Sequence, residues 1–347
     1  MPRRFVERIT TSKGYASGIA TPLELSPRPY VITSMLLDFD FNITTTASPG
    51  TTQDPYYRCL SSLMLVGDGG RNYVAIGDLR PVHFENKIFL PNGSKYVAKS
   101  APGASQTGVT RKAQIRLHFG SRPVSPDGTY NPFDLTAGIP AGQSQLTLIP
   151  TWAPQTNLGS GWTLNAGTQL SVTLYGIQAK AGEAPIVPAA LPLLTTNAFI
   201  PPSTSGSQGT PYQVPQSHFW HSTTVLSLAG SAPADNRSSS ALTDIGVRIP
   251  KDGNARIARW AWDSFEVDTG RTTGICEDDG TTFGTPVVTA GVDAGVGRID
   301  LTTIGGAVNQ LYGLDMRGFD PGDIVIDMGV ASVGTVLMLH RFYDLAS

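Results

Sequence analysis

YVITSMLLDFDFNIT, the stretch from Tyr30 to Thr44, decides the fold of this sequence. Every second position from Val31 to Ile43 is apolar except Thr33. A period of two over this length predicts a long β-strand with one well-buried face. Asp38 and Asp40 fall on the other face, where they tolerate water and argue against a buried helix. A strand this long predicts a broad sheet with a second sheet facing it.

The composition favours an all-β chain that covers much of its surface with neighbours. The 347 residues are 40% hydrophobic, which is enough for two ordinary domains with a sizeable core. Only 15% are charged, well below the usual quarter, which suits extensive burial against other subunits. The 38 glycines and 26 prolines indicate many turns and few long helices. A net charge of −2 argues against sequence-specific nucleic-acid binding.

Alternating stretches separated by turn signals continue through the first half of the chain. GDGG at residues 67–70 is a strong turn signal, because glycine adopts positive φ freely. Residues 79–90 are compatible with a strand or a short helix. Further strands are predicted at residues 57–66, 72–76, 113–119, 145–152 and 168–177. Together these make about seven or eight strands, the number typical of a β-sandwich.

The stretch 181–215 differs in composition from the chain on either side. It is rich in Pro, Ser, Gly and Thr, and it is predicted to be a linker. The second half then repeats the plan of the first, with strands predicted at residues 219–228, 242–249, 255–267, 298–304, 323–328 and 334–342. Within residues 255–267, Trp260 and Trp262 are expected to form a large apolar contact on one strand face.

These patterns predict an all-β protein made of two consecutive β-sandwiches. The first would span residues 30–180 and the second residues 216–347, with the linker 181–215 between them. Residues 1–29 form an extended N-terminal arm, since Pro22, Pro27 and Pro29 disfavour a helix there. This arm is expected to lie across the rest of the molecule or across an adjacent subunit.

The arm begins with a local excess of positive charge. Arg3, Arg4 and Arg8 predict either a solvated, frayed terminus or an arm that touches an anionic surface, such as phospholipid headgroups or a genome. The first residues lack the apolar segment of a signal peptide, and no apolar run approaches the length of a membrane span. Synthesis in a cytoplasm is therefore expected.

Motifs of nucleophilic, phosphate-binding and zinc-dependent enzymes are absent from the sequence, which lacks GxSxG, GxxxxGK(S/T) and HExxH. Asp38 and Asp40 form a candidate carboxylate pair for glycoside hydrolysis, but a solvent-facing or interface pair is the simpler interpretation. Cys59 and Cys276 are far apart and are interpreted as buried free thiols. No catalytic activity and no cofactor are expected.

Two polar clusters are weak candidates for metal sites. His218 and His221 are three residues apart, a spacing that points to opposite faces of a strand, so aromatic packing is favoured. The acidic run Glu277, Asp278 and Asp279 offers oxygen ligands for Ca²⁺, but it lacks the alternating ligands of an EF-hand loop. A solvated turn is the preferred interpretation of this run.

Three stretches carry a family resemblance: VITSMLLDFDFNIT, YYRCLSSLMLVGDGGRNYVAIGDLRPVHFENKIF and LTDIGVRIPKDGNARIARWAWDSFEV. In order and pattern they resemble the double jelly-roll major capsid proteins of tailless icosahedral viruses, the phage–adenovirus lineage. The resemblance implies two consecutive eight-stranded jelly rolls standing upright in a shell. It also implies a homotrimer that forms a pseudo-hexagonal capsomer in the virion.

The same resemblance implies the partners of the chain. These are neighbouring capsomers, minor capsid or penton proteins and an internal membrane, with Arg3, Arg4 and Arg8 facing inward. The outward towers or subunit contacts would be formed by the loops at residues 44–56, 98–110, 120–143 and 268–297.

Two other functions are compatible with a β-sandwich. A carbohydrate- or receptor-binding protein, such as a viral spike or a lectin-like module, would expose tryptophans over a shallow groove. The five candidates for such a groove, for which core packing is the default, are Trp152, Trp162, Trp220, Trp260 and Trp262. A jelly-roll hydrolase acting on polysaccharide would depend on Asp38 and Asp40.

Overall fold

The computed structural model describes residues 2–50, 52–89, 102–124, 129–201, 210–230, 235–250, 255–273, 288–289, 292–293, 295–302, 308–309, 311–332 and 334–346. The strands of the first half are β1 (Arg3–Arg8), β2 (Lys13–Gly14), β3 (Leu23–Glu24), β4 (Val31–Thr45), β5 (Leu60–Val66), β6 (Asn72–Ile76), β7 (Val109–His118), β8 (Thr147–Trp152), β9 (Trp162–Leu164) and β10 (Gln169–Gln178). Those of the second half are β11 (Ala190–Phe199), β12 (Thr210–Gln213), β13 (Phe219–Ala229), β14 (Asn236–Arg237), β15 (Leu242–Ile249), β16 (Ala255–Ala261), β17 (Val288–Thr289), β18 (Val292–Asp293), β19 (Val296–Asp300), β20 (Val308–Asn309), β21 (Gly313–Asp315), β22 (Val325–Val330) and β23 (Gly334–Leu345). Two α-helices, α1 (Arg80–Phe89) and α2 (Trp262–Thr273), accompany them.

Strand β4 confirms the long strand predicted at the start of the first sandwich. From Leu37 onward its residues alternate between buried and half-buried, as the period of two requires. Its first residues are buried on both faces, because residues 131–139 cover the outer side: Ser34 Oγ donates to the carbonyl oxygen of Pro132 at 3.1 Å, and Ile32 bridges to Ile139. Strand β4 therefore lies in the middle of its sheet, between β10 and β7.

Three large sheets and the short β17-β18 hairpin make up the strands of the described residues. The first outer sheet has the order β1-β10-β4-β7, the central sheet runs β20-β21-β13-β23-β11-β6-β5-β8-β3, and the second outer sheet has the order β12-β22-β15-β16. One apolar core lies between the first outer sheet and the β6–β3 end of the central sheet, and it includes Phe39, Leu63 and Trp152. A second core, which includes Trp220 and Ile326, lies between the second outer sheet and the other end of the central sheet. The two predicted sandwiches thus share one sheet.

Strand β11 corrects the prediction that residues 181–215 are a linker. It pairs antiparallel with β23 along its length and parallel with β6 at Leu194 and Val74. Leu194 packs in the first core, whereas its neighbour Leu193 packs against the second. This strand is therefore the seam at which the two sandwiches join.

The N-terminal arm is extended, as predicted, and it lies on its own subunit. Strand β1 pairs antiparallel with β10 at the edge of the first outer sheet, and β2 continues along the same strand. The chain then crosses to the central sheet, where Ala20 bridges to Thr151 and β3 pairs with β8. The arm therefore covers one edge of each sheet in the first sandwich, and β1 is a strand where a frayed terminus was one of the two expectations.

The strand predicted at residues 255–267 is only half right. Strand β16 ends at Ala261, and α2 begins at Trp262, so the two tryptophans do not share a strand face. In the helix, the buried positions are Trp262, Phe265, Glu266 and Thr269, which is helical spacing. Because two of these four residues are polar, the apolar pattern alone did not show the helix.

The structure also settles the predicted turn at residues 67–70 and the choice between a strand and a helix that follows it. The GDGG stretch forms a tight 3-10 turn in which Gly69 and Gly70 both have positive φ, +66° and +74°. Residues 80–89, for which a strand and a helix were both open, form α1.

Candidate assembly surfaces

The outer face of the first outer sheet carries cross-strand polar pairs. Asp38 accepts a hydrogen bond from the side-chain amide of Gln114, and Asp40 lies 2.9 Å from the ammonium group of Lys112. Each carboxylate therefore has its own partner on β7, opposite it in the register. This arrangement is typical of a polar sheet surface, in contrast to two carboxylates that converge on a substrate.

Arg3, Arg4 and Arg8 are all exposed on β1. The guanidinium group of Arg4 lies 5.2 Å above the ring of Phe133, which holds this side chain against the outer face of the sheet. Arg3 points to the opposite side of the strand and lines a cavity of about 310 Å³. The predicted basic residues therefore do not form one cluster: Arg4 lies on the outer face of the sheet, and Arg3 lies at the cavity on the other side of the strand.

The cavity beside Arg3 has an apolar floor and a charged rim. Val31, Ile177 and Ile186 supply apolar surface, and Lys180 and Glu183 stand with Arg3 around it. It lies where the first residues of β1 and β4 meet the chain that leaves β10.

Buried ion pairs join the two halves of the chain. Asp54 and Arg237 form a pair at 3.0 Å in which both side chains are fully buried. Asp235 receives two guanidinium groups, Arg58 at 2.6 Å and Arg80 at 3.0 Å. Burial alone would raise the pKa of Asp235, but the attraction of the two arginines outweighs it and holds that pKa below its ordinary value.

A further buried pair links the last strand of the chain to α1. Arg341 of β23 donates two hydrogen bonds to Glu85, at 3.1 and 2.6 Å, and a third to the carbonyl oxygen of His118 at 2.6 Å. Two residues along β23, the Tyr343 hydroxyl donates to the carbonyl oxygen of Gly120 at 2.9 Å. Strand β23 of the central sheet is thereby fixed to α1 and to the end of β7 in the first outer sheet by directional bonds as well as by apolar contact.

A chain of polar side chains crosses the second core. Trp220 Nε1 donates to Thr223 Oγ1 at 2.9 Å, and Thr223 Oγ1 lies 2.7 Å from His340 Nδ1. Because an indole nitrogen is only a donor, the Thr223 hydroxyl accepts from Trp220, and on the other side of the ring His340 Nε2 lies 3.2 Å from the Tyr212 hydroxyl. Burial lowers the pKa of His340 to about 3, so the ring is neutral at ordinary pH.

The metal-site candidates are not assembled in the described part of the chain. His218 is half-exposed and accepts a hydrogen bond from the backbone of Leu345, whereas His221 is buried against Tyr343. No group of three metal-ligating side chains occurs among the described residues. Glu277, Asp278 and Asp279 lie outside them, as does Cys276.

The aromatic and thiol candidates are core residues. Trp152, Trp162, Trp220 and Trp262 are buried, and Trp260 packs against the second core. Cys59 is a buried free thiol, as predicted, and burial raises its pKa. The described tryptophans therefore do not form the exposed platform that a sugar-binding groove requires.

Sequence reasoning missed the charged residues that join the sandwiches. Asp54, Arg58, Asp235 and Arg237 lie in or beside loops, and Glu85 and Arg341 lie in elements whose partners are distant in the chain. Charged residues in such positions are ordinarily solvated, so spacing gave no signal for them.

Across the helices that the structure describes, none is both long enough and apolar enough to cross a bilayer.

Comparison with solved structures identifies the fold. The major capsid protein (MCP) of STIV, Sulfolobus Turreted Icosahedral Virus, superposes with a TM-score of 0.69 at 13% identity, over 99% of this chain and 97% of that one. The PBCV-1 virus capsid gives 0.59 at 14% identity, covering 99% and 94%. The major capsid protein of bacteriophage PM2 gives 0.54 at 11% identity, covering 99% and 98%. No protein-family model and no curated protein sequence matches the chain.

These likenesses extend over nearly the whole of each chain, so they concern both sandwiches and their connection. The protein is an all-β double jelly roll, and the fold implied by the sequence resemblance is confirmed.

Proposed function

We propose that this chain is the major capsid protein of a tailless icosahedral virus. Three copies would form a pseudo-hexagonal capsomer, and capsomers would tile the shell of the virion. The observation that carries the proposal is the match of the entire double jelly roll, 99% of this chain, to capsid proteins of STIV, PBCV-1 and PM2. A likeness restricted to one sandwich would have fitted many unrelated functions.

The internal construction of the subunit supports a structural role in an assembly. The sandwiches share the central sheet and are joined by fully buried ion pairs such as Asp54–Arg237. Such a subunit keeps one shape, which repeated identical contacts in a closed assembly require. The paired polar side chains on the outer face of the first outer sheet, such as Asp38 with Gln114, suit contact with further subunits.

The proposed role is structural and not catalytic. Asp38 and Asp40 each pair with a different neighbour on β7, an arrangement that does not favour action of these two carboxylates on a glycosidic bond. A carbohydrate- or receptor-binding module is less well supported, because four of the five tryptophans are buried in the cores.

The proposal includes the partners and the boundaries of the chain. Neighbouring capsomers and minor capsid or penton proteins would contact the subunit. Arg3, Arg4 and Arg8 would face an anionic neighbour on the inner side of the shell, for which an internal membrane is one candidate. Residues 30–180 would form the first jelly roll and 216–347 the second, with β11 of the intervening stretch built into the sheet that they share.

Light scattering of the purified protein at increasing concentration tests the assembly. The expected species has three times the 36.8 kDa mass of the chain, and electron microscopy of concentrated samples should show pseudo-hexagonal particles or lattices. A strictly monomeric protein at high concentration would overturn the proposal. Binding of that monomer to a glycan array would favour the carbohydrate-binding alternative.

A further inference from the structure

Strand β1 presents an open edge with a defined set of backbone groups. The amide of Ile9 donates to the carbonyl oxygen of Val172 at 2.9 Å, and Arg8 lies opposite Thr173 in the register. In an antiparallel ladder, hydrogen-bonding direction alternates along a strand. The backbone groups of Arg4, Val6 and Arg8 therefore point away from β10, and no described strand pairs with β1 on that side.

The side chains of these three residues share the outer face of the sheet, and all three are exposed. Val6 is 61% exposed, although it lies within a strand. Arg4 and Arg8 flank it at a spacing of two residues, and neither takes part in the ion pairs found among the described residues. The edge thus combines unpaired backbone groups, one apolar side chain and two positive charges.

Pairing between copies of this edge is disfavoured by charge. The other edge of the first outer sheet, β7, carries Arg111 and Lys112, and one edge of the second outer sheet, β16, carries Arg256 and Arg259. Any strand-to-strand contact among these edges would bring like charges together, which is a common protection of edge strands against self-association. The exposed arginines of β1 are complemented by a negatively charged chain.

We infer that the β1 edge binds an acidic, extended polypeptide segment, which adds to the first outer sheet as a further strand. The backbone of this segment would pair with Arg4, Val6 and Arg8. An apolar residue of the segment would lie beside Val6, and the acidic residues two positions before and after it would lie beside the two arginines. A strand matches the spacing of about 6.8 Å between successive outward-facing residues. A lipid headgroup or a nucleic acid would use the arginine charges but would leave this backbone ladder unpaired.

The inference names the anionic neighbour of the arginine-bearing arm, and to that extent it rests on the proposed function. It is nevertheless tested on the soluble protein in whatever oligomeric state it adopts. Failure to form a trimer or a shell would overturn the capsid proposal but not strand addition at β1. Failure to bind a strand would overturn strand addition but not the capsid proposal.

The test uses a fluorescent peptide with the repeating pattern Glu-Thr-Val-Thr-Glu and fluorescence anisotropy with the full-length protein at low salt. A peptide with lysine in place of each glutamate is the matched control and is expected not to bind. Val6→Pro removes the outward amide without touching a bond to β10, a position where an edge strand tolerates proline. Val6→Thr, which keeps that amide, is its control.

Val6→Pro is expected to weaken binding of the acidic peptide by roughly tenfold or more, and Val6→Thr by less than about threefold. Arg4→Gln and Arg8→Gln should each weaken binding and reduce its dependence on salt. Circular dichroism melting verifies that each variant is folded.

Hydrogen exchange measured by mass spectrometry tests the same inference on the wild-type protein, in case Val6→Pro disturbs folding. The peptide is expected to slow exchange in the fragment that contains Arg4, Val6 and Arg8. Unchanged exchange together with binding would overturn strand addition. Equal binding by Val6→Pro and wild type, or equal competition by anionic vesicles or a DNA oligonucleotide, would show that the arginines only attract polyanions and would also overturn it.

Discussion

Arg341, in the last strand that the structure describes, and Glu85, in α1, form a two-point ion pair in which each side chain is 1% exposed. The pair joins residues 256 positions apart in the sequence. It therefore forms only after both sandwiches have docked, and its loss reports on the junction between them.

Removing one partner of this pair should destabilise the whole subunit. Glu85→Ala leaves a buried guanidinium group without its carboxylate, and the expected loss is about 3–5 kcal/mol in the free energy of unfolding. Urea denaturation measures this loss. Arg71→Ala is the control, because its pair with Asp344 is partly exposed and should cost less than about 1 kcal/mol. Equal losses in the two variants would contradict the role assigned to Arg341 and Glu85.

Buried histidines should make the protein sensitive to acid. Burial lowers the pKa of both His340 and His221 to about 3, in the latter case against the opposing charge of Asp300. The unfolded chain takes up these protons near pH 6.5, whereas the folded chain does so only near pH 3. Stability therefore falls as the pH decreases through this window, by up to about 1.4 kcal/mol per pH unit for each histidine.

His340→Asn tests this prediction by removing one of these titrating rings. Its free energy of unfolding, measured by denaturation between pH 7 and pH 4, should depend less steeply on pH than that of the wild type. Tyr212→Phe is the control: it removes the hydrogen-bond partner of His340 but no proton in this range, and it should lower stability equally at every pH. Parallel curves for wild type and His340→Asn would count against the prediction.

Strand β11 should contribute to stability as a core element. Leu194→Ala removes a side chain that is fully buried in the first core, with an expected loss of about 2–5 kcal/mol. Val187→Ala changes a side chain in the same Pro-rich stretch that is 70% exposed, and it should change stability by less than about 0.5 kcal/mol. Both values come from urea denaturation. A negligible effect of Leu194→Ala would mean that the stretch behaves as a linker after all.

The thiol of Cys59 should be unreactive in the folded protein. It is fully buried, and burial raises its pKa, so both access and the thiolate form are suppressed. In a Cys276→Ser variant, an aromatic disulfide reagent is expected to react only after urea is added. Rapid reaction in the native state would show that the core around Cys59 opens readily.

The strands that sequence patterns predicted well are those with one face in a core and one face toward polar surroundings. Strand β4 is the clearest case, because its alternation from Leu37 to Ile43 reports its two environments directly. Strand β11 gave no such signal, since Leu193 and Leu194 point to two different cores and both must be apolar. Pro192 added to the impression of a linker, although it lies where β11 is paired with β23 and beyond the pairing with β6.

Polar residues at buried positions account for most of what the sequence did not predict. Helix α2 places Glu266 and Thr269 in its buried stripe, where Glu266 accepts a hydrogen bond from the amide of Gly295 at 2.6 Å and Thr269 donates to Phe265 at 2.8 Å. Gly295 is distant from Glu266 in the sequence, and Phe265 is one helical turn from Thr269. Hydrophobic periodicity reports apolar positions, so it does not predict either hydrogen bond. The ion pairs of Asp54 and Asp235 were not predicted for the same reason. Asp54 pairs with Arg237 in the second half of the chain, and Asp235 pairs with Arg80 of α1 in the first half.

The seam at β11 also determines how the subunit responds to force. Strands β6, β11 and β23 are hydrogen-bonded side by side, so a load on one jelly roll passes through backbone bonds to the other without crossing a hinge. In a shell of the kind proposed, deformation under internal pressure would then concentrate at the contacts between subunits, and the elasticity of the particle would be set by those contacts.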